Sequence, residues 1–185
     1  MPAPGPAAGA PIDARGGQAR DGFAMTTTKG YTAAQIALHW LVGVLVVFNY
    51  FYSDGMGRAL AAKLGTAGVR TPPIEPLVHV WVGVTVLALV LLRLLLRRVR
   101  GAPEAPGTGI ARAAAVWGHR LLYALLLVVP MLGGLAWFGG LRALGDPHEV
   151  LANALLVVAG GHAVMALVHH YVIKDGTLTR MLRAE

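Results

Sequence analysis

The stretch IALHWLVGVL, Ile36 to Leu45, decides how the whole chain is read. Nine of its ten residues suit hydrocarbon, and the tenth is His39. An imidazole inside a bilayer is costly unless a partner takes up its polar nitrogens. The same puzzle returns at His79, His119, His148 and His162, which sit in equally apolar company.

The totals explain that company. The chain has 185 residues, 56% of them hydrophobic, and a mean hydropathy of +0.60. Charged residues make up 14%, where a soluble domain would carry roughly a quarter. They lie in short islands between long apolar runs, the signature of an integral membrane protein. Cysteine is absent, which excludes disulfides, thiolate metal sites, iron–sulfur clusters and haem attached through paired cysteines. The net charge of +7 comes from basic residues flanking the apolar runs. That placement fits membrane orientation and does not form a nucleic-acid-binding face.

Residues 1–28 are rich in Pro, Gly and Ala, lack periodicity and read as a flexible tail. They contain no long apolar segment of the kind a secretory signal needs. Met25 is a candidate alternative start, because MTTTKGYTAAQ leads compactly into the first apolar run. Four spans follow, expected at 33–52, 74–96, 113–138 and 148–172. Each is long enough to cross about 30 Å of hydrocarbon as a helix. RLLLRRVR, Arg93 to Arg100, stops the second span, and Pro130 lies inside the third. The expected fold is all-α, an integral membrane four-helix bundle. Placing both termini inside (N-in/C-in) leaves only Arg58, Lys63, Arg70 and Arg142 outside, among 16 Lys and Arg. That asymmetry is the positive-inside bias of a multi-span membrane protein.

Topology gives each histidine a depth. His39, two turns into the first span, lies near the inner side, and His79, at the start of the second, near the outer side. His148 opens the fourth span at its outer rim. His162, fourteen residues on, is about 21 Å deeper on nearly the same helix face. An inner layer therefore holds His39 and His162, and an outer layer holds His79 and His148. Two b-type haems stacked across the membrane, each held by two imidazoles, suit this arrangement. Gly43 and Gly83 lie one turn beyond His39 and His79 and leave room for a ring edge, as small residues also do where plain helices pack. Interhelical hydrogen bonding is the bland alternative for any one of these histidines. A proton or metal pathway would need acids within the spans. Only Glu75 and Glu149 stand there, both at outer ends. His119 could replace His39 or His162 as a ligand, bond a propionate, line a quinone pocket or simply join two helices. His169 and His170, at the inner end of the fourth span, are either solvated or part of a quinone site. Trp40, Trp81, Trp117 and Trp137 read as an interfacial aromatic belt.

The fragments YTAAQIALHWLVGVL, HVWVGVTVLALVLLRLLLR, HRLLYALLLVVPMLGGL and HEVLANALLVVAGGHAVMALVHHYVIKDGTLTRML resemble the four spans of bacterial cytochrome b561. The likeness covers most of the chain after Lys29, and the last fragment, with its paired histidines and KDGTLxRM tail, is the most specific. The resemblance implies two b haems, with His39 and His162 on one iron and His79 and His148 on the other. It also implies a superoxide oxidase-like activity passing electrons from superoxide outside to ubiquinone inside. On that expectation His169 delivers protons to the quinone and is the candidate catalytic residue. Arg58, Lys63, Arg70 or Arg142 would draw the superoxide anion, or serve as ordinary loop charges. Lys174 and Arg180 would anchor propionates or lipid phosphate. Two further readings stay open. One is a haem-b membrane anchor relaying electrons for a docked dehydrogenase or hydrogenase partner. The other is a non-redox membrane protein lined with histidine. Membrane lipid, quinone and a second copy of the chain complete the expected partners.

Overall fold

The structure, a computed structural model, describes residues 1, 30–66, 74–103 and 108–184. The expected tail beyond Met1, the candidate start at Met25 and the loop cation Arg70 lie outside the described residues.

Four long helices and one short one carry the chain. The first, α1, spans Ala33–Phe51. Its start is set by a capping box: Thr32 Oγ1 accepts from the Gln35 backbone N–H at 3.3 Å, and Gln35 Oε1 accepts from the Thr32 backbone N–H at 3.0 Å. Two otherwise orphaned donors are satisfied there reciprocally. The expected loop after α1 contains a helix the sequence reading did not foresee, α2, Met56–Lys63. Gly55, at φ +76°, turns the chain into it. At eight residues α2 is too short to reveal itself by periodicity. It is held by burying Ala59 and Leu60 against Val80, Ala136 and Trp137.

The next two helices, α3 (Ile74–Arg100) and α4 (Gly109–Phe138), exceed their expected spans by one turn each. Arginine is a good helix former, so Arg97, Arg98 and Arg100 leave the apolar run without ending the helix. Their charges also complement the helix C-terminus. The last long helix, α5, runs Gly145–Val168, preceded by a 3-10 turn at Arg142–Leu144 and continued by a π-helical turn, His169–Ile173. A final 3-10 turn, Thr179–Met181, brings the tail back to α1, where Trp40 Nε1 donates to the Met181 carbonyl at 2.9 Å.

The described residues form an all-helical bundle without strands, with four helices long and apolar enough to cross a membrane. Close packing runs from α1 to α3, α3 to α4 and α4 to α5. The core lies along those seams, in Val42, Val86 and Val90 on one side and Leu125, Val129 and Leu155 on the other. Large apolar side chains such as Val44, Leu91, Val157 and Val164 face outward. Outward-facing apolar surface on spanning helices is what lipid covers. Trp40, Trp81 and Trp117 are exposed, as a belt residue must be, but Trp137 is not. It is only 6% exposed, packed into the α2 cluster, with Lys63 Nζ 4.9 Å from its ring centre. Its position near a span end coincided with burial under α2, which the sequence reading had taken as loop.

Candidate functional site: two histidine pairs

The helices bring the predicted histidines together in two places. At one end, His79 of α3 faces His148 of α5 with ring centres 6.1 Å apart and planes at 88°. At the other, His39 of α1 faces His162 of α5 with ring centres 6.3 Å apart and planes at 75°. Asn49, beside His79, lies ten residues from His39 along α1, and His148 lies fourteen from His162 along α5, so the two pairs are about 15–21 Å apart along the helices. The layers inferred from depth are thus pairs in space.

Each ring at the His79 end is oriented through its Nδ1. His79 Nδ1–H donates to the Asn49 carbonyl at 3.0 Å. That carbonyl lies in the last turn of α1, where no further helical N–H follows to bond it. His148 Nδ1–H donates to the Val129 carbonyl at 2.8 Å. With Nδ1 fixed on a carbonyl, Nε2 is the free lone pair, as in orienting bonds to metal-bound histidines. The geometry also suits a shared metal. An imidazole nitrogen lies about 1.1 Å from its ring centre and a metal–nitrogen bond is about 2 Å, so two ligands on opposite sides of one atom hold ring centres about 6.3 Å apart.

A cavity of about 1270 Å³ opens at the His79 end, lined among others by His79, Gly83, Pro130, Gly133, Gly134 and His148. It exceeds the usual range for small-ligand pockets, roughly 300–1,000 Å³. Inside it, Asn49 Oδ1 is buried with no protein partner. A methyl group at Gly43, Gly134, Gly160 or Gly161 would meet no atom within 4 Å, and one at Gly83 would make only ordinary contact with Asn49 Nδ2 at 3.6 Å. Of these, Gly83 and Gly134 line the cavity and leave room there for a flat ring edge, while Gly43, Gly160 and Gly161 are exposed on their helices. Gly133, which the sequence reading passed over, is different: its hydrogen is all that fits beside the His148 ring.

His119 joins the His39 end but at the wrong spacing for a ligand opposite His162. Its ring centre is 5.0 Å from that of His162, and its Nδ1–H donates to its own helix at the Ala115 carbonyl, 2.7 Å away. Arg93 of α3 also closes this end. Its Nε donates to Tyr123 Oη at 3.0 Å and its Nη1 to the Gln35 carbonyl at 2.9 Å. Among the described residues, no group of three or more His, Asp or Glu converges as a protein-only metal site.

The other expected residues fall into two groups. His169 lies in the π-helical turn, with Nδ1 2.6 Å from Asp175 Oδ2. His170 stacks edge-on against Tyr171 at 4.7 Å. Of the loop cations, Lys63 is engaged by the Trp137 carbonyl and Arg142 by Thr66 Oγ1, while Arg58 and Arg142 both line the cavity. Lys63 thus fastens α2 to the bundle.

Residues 30–184 match the family described as prokaryotic cytochrome b561. Cytochrome b562 of Cereibacter sphaeroides is 45% identical over 159 residues, covering 86% of this chain and 99% of that protein. The protein named Probable superoxide oxidase CybB, from Yersinia pestis, is 32% identical over 178 residues, covering 83% of this chain and 96% of that one. Cytochrome b561 homolog 1 of Escherichia coli is 27% identical over 175 residues, covering 82% and 96%.

Proposed function

The chain belongs to the prokaryotic cytochrome b561 family of haem-binding bacterial membrane proteins of electron transport, and from that premise we propose that it holds two b haems and passes electrons across the membrane from superoxide to ubiquinone. The carrying observation is the pair of ring spacings, 6.1 and 6.3 Å, at two depths of one bundle. His79 with His148, and His39 with His162, would hold the two haem irons on this reading. Gly83 and Gly134 leave room for a ring edge. Bound haem supplies a one-electron iron couple, and the protein contributes position, orientation and surroundings.

Both termini lie on the inner side of the inner membrane, as the placement of Lys and Arg supports. The His79 end is then the outer one. Superoxide as donor is supported by the likeness to a relative named as a superoxide oxidase. Arg58 and Arg142, on the rim of the outer cavity, supply positive charge that attracts a small anion. Lys63, bonded to the Trp137 carbonyl, keeps its charge but is not among the residues lining the cavity. Two superoxide anions give up one electron each and leave as dioxygen. One quinone takes both electrons and two protons from the inner side and leaves as quinol, with His169 as the proton donor.

The test is a reduced-minus-oxidised spectrum with haem quantified per chain, on the wild type, His162→Ala and His148→Ala. Two haems in the wild type, with about one lost in each variant, is the expected result. One haem in the wild type, or the same haem lost in both variants, overturns the layered pairing. Superoxide generated beside the isolated protein should reduce its haems, and a lack of reduction removes superoxide as the donor.

A further inference from the structure

The π-helical turn that ends α5 builds a second functional pair. His169 is seven residues beyond His162, two turns and about 10 Å along the same helix face. Up to Val168 the helix is regular α, and the wider turn begins at His169 itself. Such turns recur at functional sites because they re-aim a side chain without breaking the helix. Here the His169 carbonyl receives the Lys174 N–H that closes the turn and the Asp175 N–H at 3.3 Å. Lys174 adopts φ +58°, the one non-glycine residue with positive φ among the described residues. That conformation costs energy in a residue with a Cβ. It reverses the chain so that Asp175 points back at the ring.

Asp175 then has each oxygen engaged. Oδ2 meets His169 Nδ1 at 2.6 Å, and Oδ1 accepts the Thr177 backbone N–H at 2.9 Å. The carboxylate is thereby locked in its own turn and unable to swing away. The pair is half-buried, with side-chain exposures of 22% and 26%, so the ring keeps access to the protein's edge. A carboxylate on Nδ1 fixes the tautomer of an imidazole and leaves Nε2 as the atom that exchanges protons.

We propose that Asp175 is the positioning residue of the quinone site, holding His169 so that Nε2 delivers protons to the quinone oxygen. This rests on the reading of His169 as the quinone-side residue. In the step, Nε2–H breaks and an O–H bond forms on the quinone as the electrons arrive. The imidazole is then neutral at Nε2, Asp175 retains Nδ1–H, and a proton from the inner aqueous phase restores the donor. The carboxylate stabilises the charged ring between turnovers without taking its proton.

Wild type, Asp175→Asn, Asp175→Glu and His169→Gln holoproteins, reduced and mixed with decylubiquinone, give the maximum rate of haem reoxidation and the half-saturating quinone concentration. Asp175→Asn should lower the maximum rate by about tenfold or more, as loss of an oriented proton donor does. Half-saturation and the haem spectrum should be unchanged, and Asp175→Glu should recover most of the rate. In 15N-histidine spectra recorded at a pH high enough to leave the ring neutral, the signal that His169→Gln removes should show a single Nδ1–H tautomer in the wild type and a mixture in Asp175→Asn. If His169→Gln is slow but Asp175→Asn matches the wild type, the positioning role is overturned and the quinone reading stands. If Asp175→Asn loses haem instead, Asp175 only holds the helix end and the proposal fails. If His169→Gln matches the wild type, the quinone reading falls and takes the proposal with it.

Discussion

His148 lies against Gly133 so closely that no side chain can replace the glycine hydrogen. A Cβ there would stand 2.8 Å from His148 Cε1 and 3.0 Å from Nδ1. The carbonyl that His148 bonds, on Val129, is one turn away on α4. Gly133 therefore sets the seat of a proposed outer ligand. Gly133→Ala should shift the imidazole off Val129 and lose about one haem per chain, leaving the His39 end intact. Haem quantification with a low-temperature spectrum checks it, and two unperturbed haems would contradict the close fit.

The inner end offers three imidazoles for two positions, and spacing separates them. Ring centres 6.3 Å apart suit opposite sides of one iron, and 5.0 Å does not. His119→Ala should retain two haems with at most a small shift in the inner potential. His39→Ala should retain one. The reverse pattern would make His119 the ligand.

Arg93 donates to groups on two other helices, Tyr123 on α4 and the Gln35 carbonyl on α1. Hydrogen bonds from a charged donor contribute about 1.5–3 kcal/mol each, and a buried partner left unsatisfied adds to the loss. Arg93→Met should lower the thermal midpoint in detergent by several degrees, and Tyr123→Phe by less. A midpoint unchanged in Arg93→Met would show that the network contributes nothing.

Asp175 titrates outside the spans. Bonds from Thr177, and then from the His169 ring, hold its carboxyl down from 3.8 to about 2. A depressed folded value means the ionised form favours the folded turn. That contribution is complete above about pH 4 and disappears as pH falls through 2. A 13C titration of the Asp175 carboxyl should show its midpoint near 2, and Asp175→Asn should remove this acid-dependent increment. A midpoint near 4 would mean the turn is open in solution.

Much of the site was legible because depth in a membrane is a one-dimensional problem. Apolar runs fix the helices, rise per residue fixes height, and His148 and His162 fall on one face by counting alone. What stayed hidden depends on side-to-side packing. Nothing local marks Gly133 as the glycine that meets a ring, rather than Gly134 beside it. The α2 helix escaped because eight residues carry too little pattern, and with it went the burial of Trp137 and the fastening of Lys63. The partner of His169 was visible only as an aspartate six residues away, too far for a regular helical turn and reached through the π-helical one. The carbonyl of Asn49 could have been anticipated, since the end of any helix leaves acceptors without donors.

Among the described residues close backbone packing runs from α1 to α3 to α4 to α5, and it is sparser between the two helices that carry His39 and His162. Side chains cross that seam, among them the imidazoles and Tyr50 Oη with Asn153 Oδ1 at 2.8 Å. A barrel stave only lightly glued on one side is a candidate doorway to the lipid. The polypeptide can take its place in the bilayer first and receive a greasy, planar guest sideways, and that guest then becomes the bolt across the door. Haem added to vesicles already containing the apoprotein should be taken up without unfolding, and a bridge tying Tyr50 and Asn153 together covalently should slow that uptake while leaving the finished protein intact.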